Sequence, residues 1–515
     1  MSGPAASSAT RVAVVLDGPR PPAWQARALE GLRAATGVEV VAVCRVAGPR
    51  PSRAAQRRHA LERRLFGIGA GADAVLPVEV PDAGDPGGAT DLTVWLAGAA
   101  APALPAGMRR LELVHGDGAR PAVETFAFAA ARGARTVVTE AWLRTGGSDD
   151  VVVARTTSGV RVFSPVVTAT FALWKLAALV PVAVQRVAAG AAPEAAAPVP
   201  APGPEPVSEP RLLATVLARW LRITLNRVLF RRPWAVRIRR HGPEPTRGWE
   251  DGGDVHPPWR RGHLYADPML FERGGVHHLF VEDVPPGSPR GVISHVALDG
   301  DGRALGELEP VLEAAHHLSY PFVFAHGDEV FMIPETAAAR RVELWRADPF
   351  PHAWRREAVL LEDVEAVDAT VLEHDGRLWM FVGIAAPGSS TLDQLHLFWA
   401  ADPRGPWTPH PRNPVVSDAT CARPGGPVFR HDGELVRPGQ DGSRRYGGGL
   451  SLRAIDVLSI EAYAEHEVGR IGPEDVRGGA HATHAYTVDG RFEAIDVRLR
   501  ELRIARRLRG ALRRS

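Results

Sequence analysis

Two aspartates give the strongest chemical signal in this 515-residue chain. Asp267 and Asp368 each lie eight residues before a polar turn flanked by two short apolar runs. That unit occurs five times: MLFERGGVHHLFVE, FVFAHGDEVFMIPE, TVLEHDGRLWMFVG, VFRHDGELVRPGQD and HAYTVDGRFEAIDV. An apolar run, a turn at Asp-Gly or its like, and a second apolar run spell a β-hairpin. The turn positions Gly275, Asp328, Gly376, Gly433 and Gly490 are spaced by 53, 48, 57 and 57 residues. Eight residues before each stand Asp267, Tyr320, Asp368, Gly425 and Ala482. In a radial array these positions open the inner strands and converge on the axis. A carboxylate placed there is costly unless paired or used. The plain alternative is that Asp267, before Pro268, and Asp368 cap turns.

Further groups fall in reach of the same axis. Glu335 ends the returning strand of the second hairpin, and Glu282-Asp283 and Gln440-Asp441 hold the equivalent place in the first and fourth. Arg423 precedes the fourth unit, Arg444 and Tyr446 follow it, and His484 opens the fifth. Arginine grips carboxylate or phosphate with a planar fork, so this set suits an anionic sugar or sugar phosphate. Paired carboxyl groups are what glycosidic bond cleavage requires. The histidine doublets at 277–278 and 316–317 lack zinc-type spacing, and neighbouring strand residues face opposite ways. No metal is expected.

The elements that must position these groups read as an α/β region followed by an all-β region. Five hairpins at this period, with no helical pattern between them, specify a five-bladed β-propeller over 234–497. Residues 11–188 alternate strands and helices, the mark of a parallel, Rossmann-like α/β domain. Its strands are expected at 11–16, 38–46, 74–80, 91–96, 111–115 and 136–140, with a hairpin over 151–167. A lead at 1–10 and a Pro/Ala-rich linker at 189–210 bound it. There is no GxGxxG or Walker pattern, so no nucleotide cofactor is indicated. The apolar stretch 168–188 is broken by Lys175 and Pro181 and reads as a buried helix. Residues 211–231 form a basic amphipathic helix, and the tail 498–515 is arginine-rich. Both suit an anionic membrane surface or packing against the propeller.

Several motifs carry a family resemblance. HLSYPFVF (317–324), MIPET (332–336), VDAT (367–370), GPWTPHPRNPV (405–415) and SRRYGG (443–448) resemble the N-terminal propeller domain of the glucosamine inositolphosphorylceramide transferases. That propeller is similar in turn to the arabinanase and xylosidase type of glycosidase. The resemblance implies a base at Asp267 and an acid-modulating aspartate at Asp368. The glutamate that serves as acid in a Glu-Gly-Pro run is replaced by Gly425, so Glu335 becomes the substitute acid. Tyr320, Arg423, Asp441, Arg444, Tyr446 and His484 are the expected substrate contacts. Bacterial relatives often carry a formyltransferase-like domain in front, here with His115 and Asp117 in LVHGDG as its candidate groups.

Composition narrows the rest. A net charge of +2 gives no electrostatic case for nucleic acid. Lys175 is the sole lysine among sixty arginines, as a high-GC bacterial genome produces. Cys44 and Cys421 fall in different regions, so no disulfide is expected. The first residues lack a signal-peptide pattern, which gives a cytoplasmic reading, with peripheral contact at the inner membrane surface. The expected function is action on a glycan, glycolipid or sugar phosphate of the cell envelope. A non-catalytic glycan-binding or scaffolding protein is the alternative, and a formyl or acyl transferase on a sugar the second.

Overall fold

The computed structural model describes residues 9–48, 51–67, 90–116, 118–146, 149–161, 164–190, 207–242, 244–247, 249, 259–476 and 479–503. The strand expected at 74–80, most of the linker, Asp117 and the tail beyond 503 lie outside these residues. Two compact units result: Met1–Ile223 with Ala386–Ser390, and Thr224–Ala385 with Thr391–Ser515.

The first unit is built on one six-stranded sheet. Its strands are β1 (Thr10–Asp17), β2 (Val38–Val46), β3 (Leu92–Trp95), β4 (Arg110–His115), β5 (Thr136–Arg144) and β6 (Val151–Gly159), in the order β2-β1-β3-β4-β5-β6. The first four run parallel, but β5 and β6 pair antiparallel. The sheet is therefore mixed rather than wholly parallel. The residues expected to form a hairpin at 151–167 are instead one strand and the start of a helix. β6 pairs along its backbone edge with β5, and Pro165 then opens the next helix, as proline does at a first helical turn.

Helix α1 (Ala23–Ala34) buries Trp24, Ala28, Leu29 and Leu32. Then come α2 (Arg53–Phe66), α3 (Val123–Ala131) and the 24-residue α4 (Pro165–Ala188). By length and composition α4 could cross a membrane, yet two-thirds of its most apolar window is buried inside the protein. Leu173, Leu176, Val180 and Val184 join Val12, Val14 and Val94 of the sheet in one core. Gly31 of α1 makes this packing close: a Cβ there would stand 2.7 Å from Pro181. The Lys175 ammonium is buried and donates to the Thr157 carbonyl at 3.0 Å.

The second unit is the five-bladed propeller. Blade 1 runs through Leu264–Arg273, Val276–Val284, Val292–Leu298 and Glu309–Leu312. Blade 2 takes Ser319–His326, Glu329–Glu335, Arg341–Ala347 and Trp354–Glu362. Blade 3 takes Ala366–His374, Arg377–Ile384, Leu395–Ala400 and Thr408–Pro409, and blade 4 Phe429–His431, Glu434–Gln440, Leu450–Leu458 and Tyr463–Ile471. Blade 5 joins Tyr486–Val488 and Phe492–Arg498 to Trp234–Arg240, contributed from before the first blade. Both central turn residues have positive φ at Gly274-Gly275, Asp375-Gly376 and Asp432-Gly433, the condition that a tight hairpin turn sets.

Three inner strands share one irregularity. Ala266 pairs with Glu282 and Met269 with Phe280, so two residues face one. The same skip separates Ser319↔Glu335 from Phe322↔Ile333, and Val367↔Gly383 from Thr370↔Phe381. Each is a β-bulge, and its first residue is Asp267, Tyr320 or Asp368, with φ of 49°, 44° and 54°. Glycine normally takes that conformation. A non-glycine residue there costs on the order of 1–3 kcal/mol, and such strain clusters at functional sites.

Candidate active site

A cavity of about 280 Å³ opens beside the first of these bulges. Asp267, Glu282, Glu335, Arg423, His484, Trp234 and Tyr446 line it. Asp267 is thus not at a strand start, as the spacing implies, but inside one, re-aimed by the bulge.

Asp267 Oδ2 accepts the Tyr320 N–H at 3.1 Å, and Oδ1 lies 2.9 Å from His484 Nε2. The other ring nitrogen, Nδ1, lies 2.7 Å from Asp496 Oδ2. Asp496 Oδ1 accepts the backbone N–H groups of His484 and Ala485, fixing the loop that carries the histidine. Burial disfavours a charged imidazole, but the carboxylates of Asp496 and Asp267 outweigh it and push His484 up to about 10. It is an imidazolium at neutral pH, held between two anions.

The second cluster is centred on Asp368, which is buried and does not itself line the cavity. Arg423 Nε donates to its Oδ2 at 2.6 Å and Nη2 to its Oδ1 at 3.1 Å. Gln440 adds a third bond at 2.7 Å. Arg423 Nη2 also reaches Glu335 Oε2 at 3.2 Å. Burial and then the neighbouring Asp368 charge hold the Glu335 carboxyl well above its usual range, against the pull of Arg423. The Glu335 side chain therefore faces the cavity with its ionisation disfavoured by burial and by the neighbouring carboxyl of Asp368.

On the blade-1 side, Gly291 N–H donates to His317 Nδ1 at 2.8 Å. Nε2 then carries the ring proton and faces Glu282 Oε1 at 3.2 Å. Burial raises the Glu282 pKa, His317 opposes it, and Asp267 adds to it. Aromatic rings close the opposite wall. Trp234 meets His484 edge-on at 4.6 Å, Tyr446 lies 4.6 Å from the same ring, and the Arg423 guanidinium sits 5.4 Å from Tyr446.

Some expected groups stand elsewhere. Tyr320 is buried, bonding Thr370 Oγ1 at 2.9 Å, and serves the site through its backbone N–H. Asp441 turns away: Oδ1 accepts from Ser443 N and Oγ, and Oδ2 lies 3.4 Å from Arg470. Its neighbour Gln440 points inward instead, because adjacent strand residues take opposite faces. Arg444 is exposed and outside the lining. Arg423 is engaged by two carboxyl groups, so among the described residues the lining offers no open arginine fork of the kind an anionic sugar would need. Asp496, His317 and Trp234 join the cluster unforeseen. In the first unit, His115 is buried, 2.8 Å from Thr139 Oγ1 and edge-on to Phe126.

Residues 260–490 match the family model described as glucosamine inositolphosphorylceramide transferase 1, N-terminal. The propeller resembles that domain. A transferase of this name from Arabidopsis thaliana is 36% identical over 209 residues, 40% of this chain and 27% of the relative. The one from Oryza sativa subsp. japonica is 36% identical over 223 residues, 43% of this chain and 30% of the relative. The match thus spans under a third of these relatives. They are plant proteins and lend no support to the bacterial origin that the composition suggests. A β-1,2-mannobiose phosphorylase from Listeria innocua aligns with 50% of this chain and 96% of its own at 12% identity, with a TM-score of 0.35. A family 117 glycoside hydrolase of Zobellia galactanivorans aligns with 51% and 90% at 11% identity, with a TM-score of 0.34.

Proposed function

We propose that the propeller cavity binds one sugar unit of a glycan or glycolipid and acts on its glycosidic bond. Glu335 protonates the leaving oxygen as the C–O bond breaks, and Asp267 takes a proton from the attacking water or hydroxyl. Arg423 positions Glu335, and Asp368, itself held by Arg423 and Gln440, favours the protonated acid. One observation carries this reading: two carboxyl groups from different blades, Glu335 and Asp267, line one cavity, and burial and Asp368 disfavour the ionisation of Glu335. Opposed acid and base carboxyls are what glycosidic cleavage requires. The cavity has room for a single sugar ring, and the aromatic residues Trp234 and Tyr446 line it. The relatives' name, glucosamine inositolphosphorylceramide transferase, pairs a sugar with a glycolipid, which supports that substrate class.

A second reading is a glycan-binding module. Both Asp267 oxygens already have partners, which opposes their acting as a base. The test uses full-length protein and a panel of glycans and glycolipids, measuring binding by calorimetry and product by chromatography. Glu335→Gln and Asp267→Asn should abolish turnover by ~10²-fold or more and keep binding within a few-fold. Binding without turnover in the wild type favours the module. If no glycan binds, both readings fall.

A further inference from the structure

Helix α5 (Glu209–Leu229) buries only Leu212 and Val216. Its exposed large apolar residues recur every fourth position along one face: Leu217, Leu221, Leu225 and Leu229, with Val228 beside them. These five are 40–64% exposed. In the second unit the stripe is continued by another chain segment. Directly after the helix, Phe230–Arg231 pairs with Glu501–Leu502, adding Leu502 at 50% exposed.

This apolar edge is set in positive charge. Arg227, Arg231, Arg500 and Arg503 are exposed around it, with Arg232 half-buried among them. The Arg500 guanidinium lies 3.8 Å above the Phe230 ring, and Arg503 Nε donates to the Phe230 carbonyl. Burial, then repulsion from Arg500 and Arg227, lowers the Arg232 pKa. Against these five arginines the local sequence offers one carboxylate, Glu501. Five like charges gathered beside exposed leucines carry a Coulombic cost that a polyanionic surface removes.

We propose that this face of the second unit docks on an anionic lipid bilayer. Leu225, Val228, Leu229 and Leu502 enter the headgroup boundary, and the arginines meet lipid phosphates and carboxylates. Charge complementarity selects this occupant: an amphipathic helix with leucines on one side and arginine flanks is the pattern of interfacial binding. A second copy of the chain would bring the same positive charge against itself. The docking is independent of what the propeller cavity binds.

The test is co-sedimentation of full-length protein with vesicles of phosphatidylcholine alone, or with about a third phosphatidylserine. Binding is expected only with the anionic vesicles, and a severalfold rise in salt should release it. Each surface arginine strengthens such binding about fivefold. Arg227→Gln, Arg231→Gln and Arg500→Gln together should therefore weaken it by roughly a hundredfold. Leu225→Glu with Val228→Glu should weaken it as well. All five positions are exposed, and an unchanged melting curve shows that each variant still folds. Absence of binding to any vesicle overturns the proposal. So does binding that both sets of substitutions leave unchanged. Light scattering that shows a wild-type dimer split by the Leu225/Val228 pair would assign the face to a second copy, also overturning it.

Discussion

Replacing Asp368 by Asn tests the logic of the site most directly. The change keeps the shape but removes the charge that Arg423 grips with two bonds, and it turns an amide N–H toward Gln440 or Arg423. Breaking a buried pair from one side costs about 3–5 kcal/mol when the remaining charge is unanswered. Glu335 is already 3.2 Å from Arg423 Nη2. In the variant it can ionise and answer that charge, recovering about 2 kcal/mol through a charge-assisted bond. The loss should therefore depend on pH. In the wild type the Glu335 pKa is raised above the ordinary 4.5. Its contribution to stability is full below that value and is lost as pH rises through the folded pKa. Without Asp368 the folded pKa drops, because its charge and its hydrogen bond to Glu335 are both gone, burial and Asp267 alone still raise it, and Arg423 remains. The variant should then be weakened most near pH 4.5 and less as pH rises. Urea midpoints across pH measure this, and isotope-edited infrared of the Glu335 carboxyl reads its protonation. A penalty that is flat with pH, with Glu335 titrating where it did before, would show that burial alone sets the acid and that Asp368 is not its regulator.

Three more outcomes follow from the structure. His484, pushed up to about 10 from an ordinary 6.5, contributes stability that is complete below 6.5 and lost as pH rises through about 10; denaturant melts should weaken over that window, and His484→Gln should flatten the slope. His278 and His295 lie 2.9 Å apart, and burial holds them down at about 4 and about 3. Their contribution is present above 6.5 and lost on acidification, so the double Gln variant should lose part of the acid sensitivity, about 3 kcal/mol, in the same melts. Gly426→Ala would set a Cβ 1.7 Å from the Tyr486 carbonyl at a φ of 152°; at least ~3 kcal/mol of destabilisation is expected by thermal melting.

The propeller was legible because its signal repeats. A two-residue turn between apolar runs survives in every unit, and counting back from it reached Asp267, Tyr320 and Asp368. The bulge that turns these residues inward leaves no local mark, since glycine, its usual sign, is absent. Register slips explain the misplaced contacts. In blade 4 the inward residue is Gln440, and a one-residue offset to Asp441 selects the opposite face. In blade 5 the group reaching the site is His484, two residues past Ala482, because Asp496 draws in the backbone of 484 and 485. Trp234 belongs to none of the five hairpins, so periodicity had no means of finding it. The N-terminal sheet alternates strands and helices through β1, α1, β2 and α2, but β5 runs directly into β6, and strand direction depends on connections that periodicity does not report.

Blade 5 bears on the order in which the cavity can come into being. Arg498 pairs with Trp234 and Phe492 with Arg240, joining segments more than 250 residues apart in sequence. Contacts of such long range are the slowest to form. Blades 1 to 4 can each fold on local hairpins, yet a chain halted there would hold Asp267, Glu335 and Arg423 with no Trp234 wall and no Asp496 behind His484. Closing the ring and finishing the site are one event. A fragment cut to 260–490, the span of the family match, would lack both the clasp and two members of the cluster, and so should neither close nor bind as the full chain does.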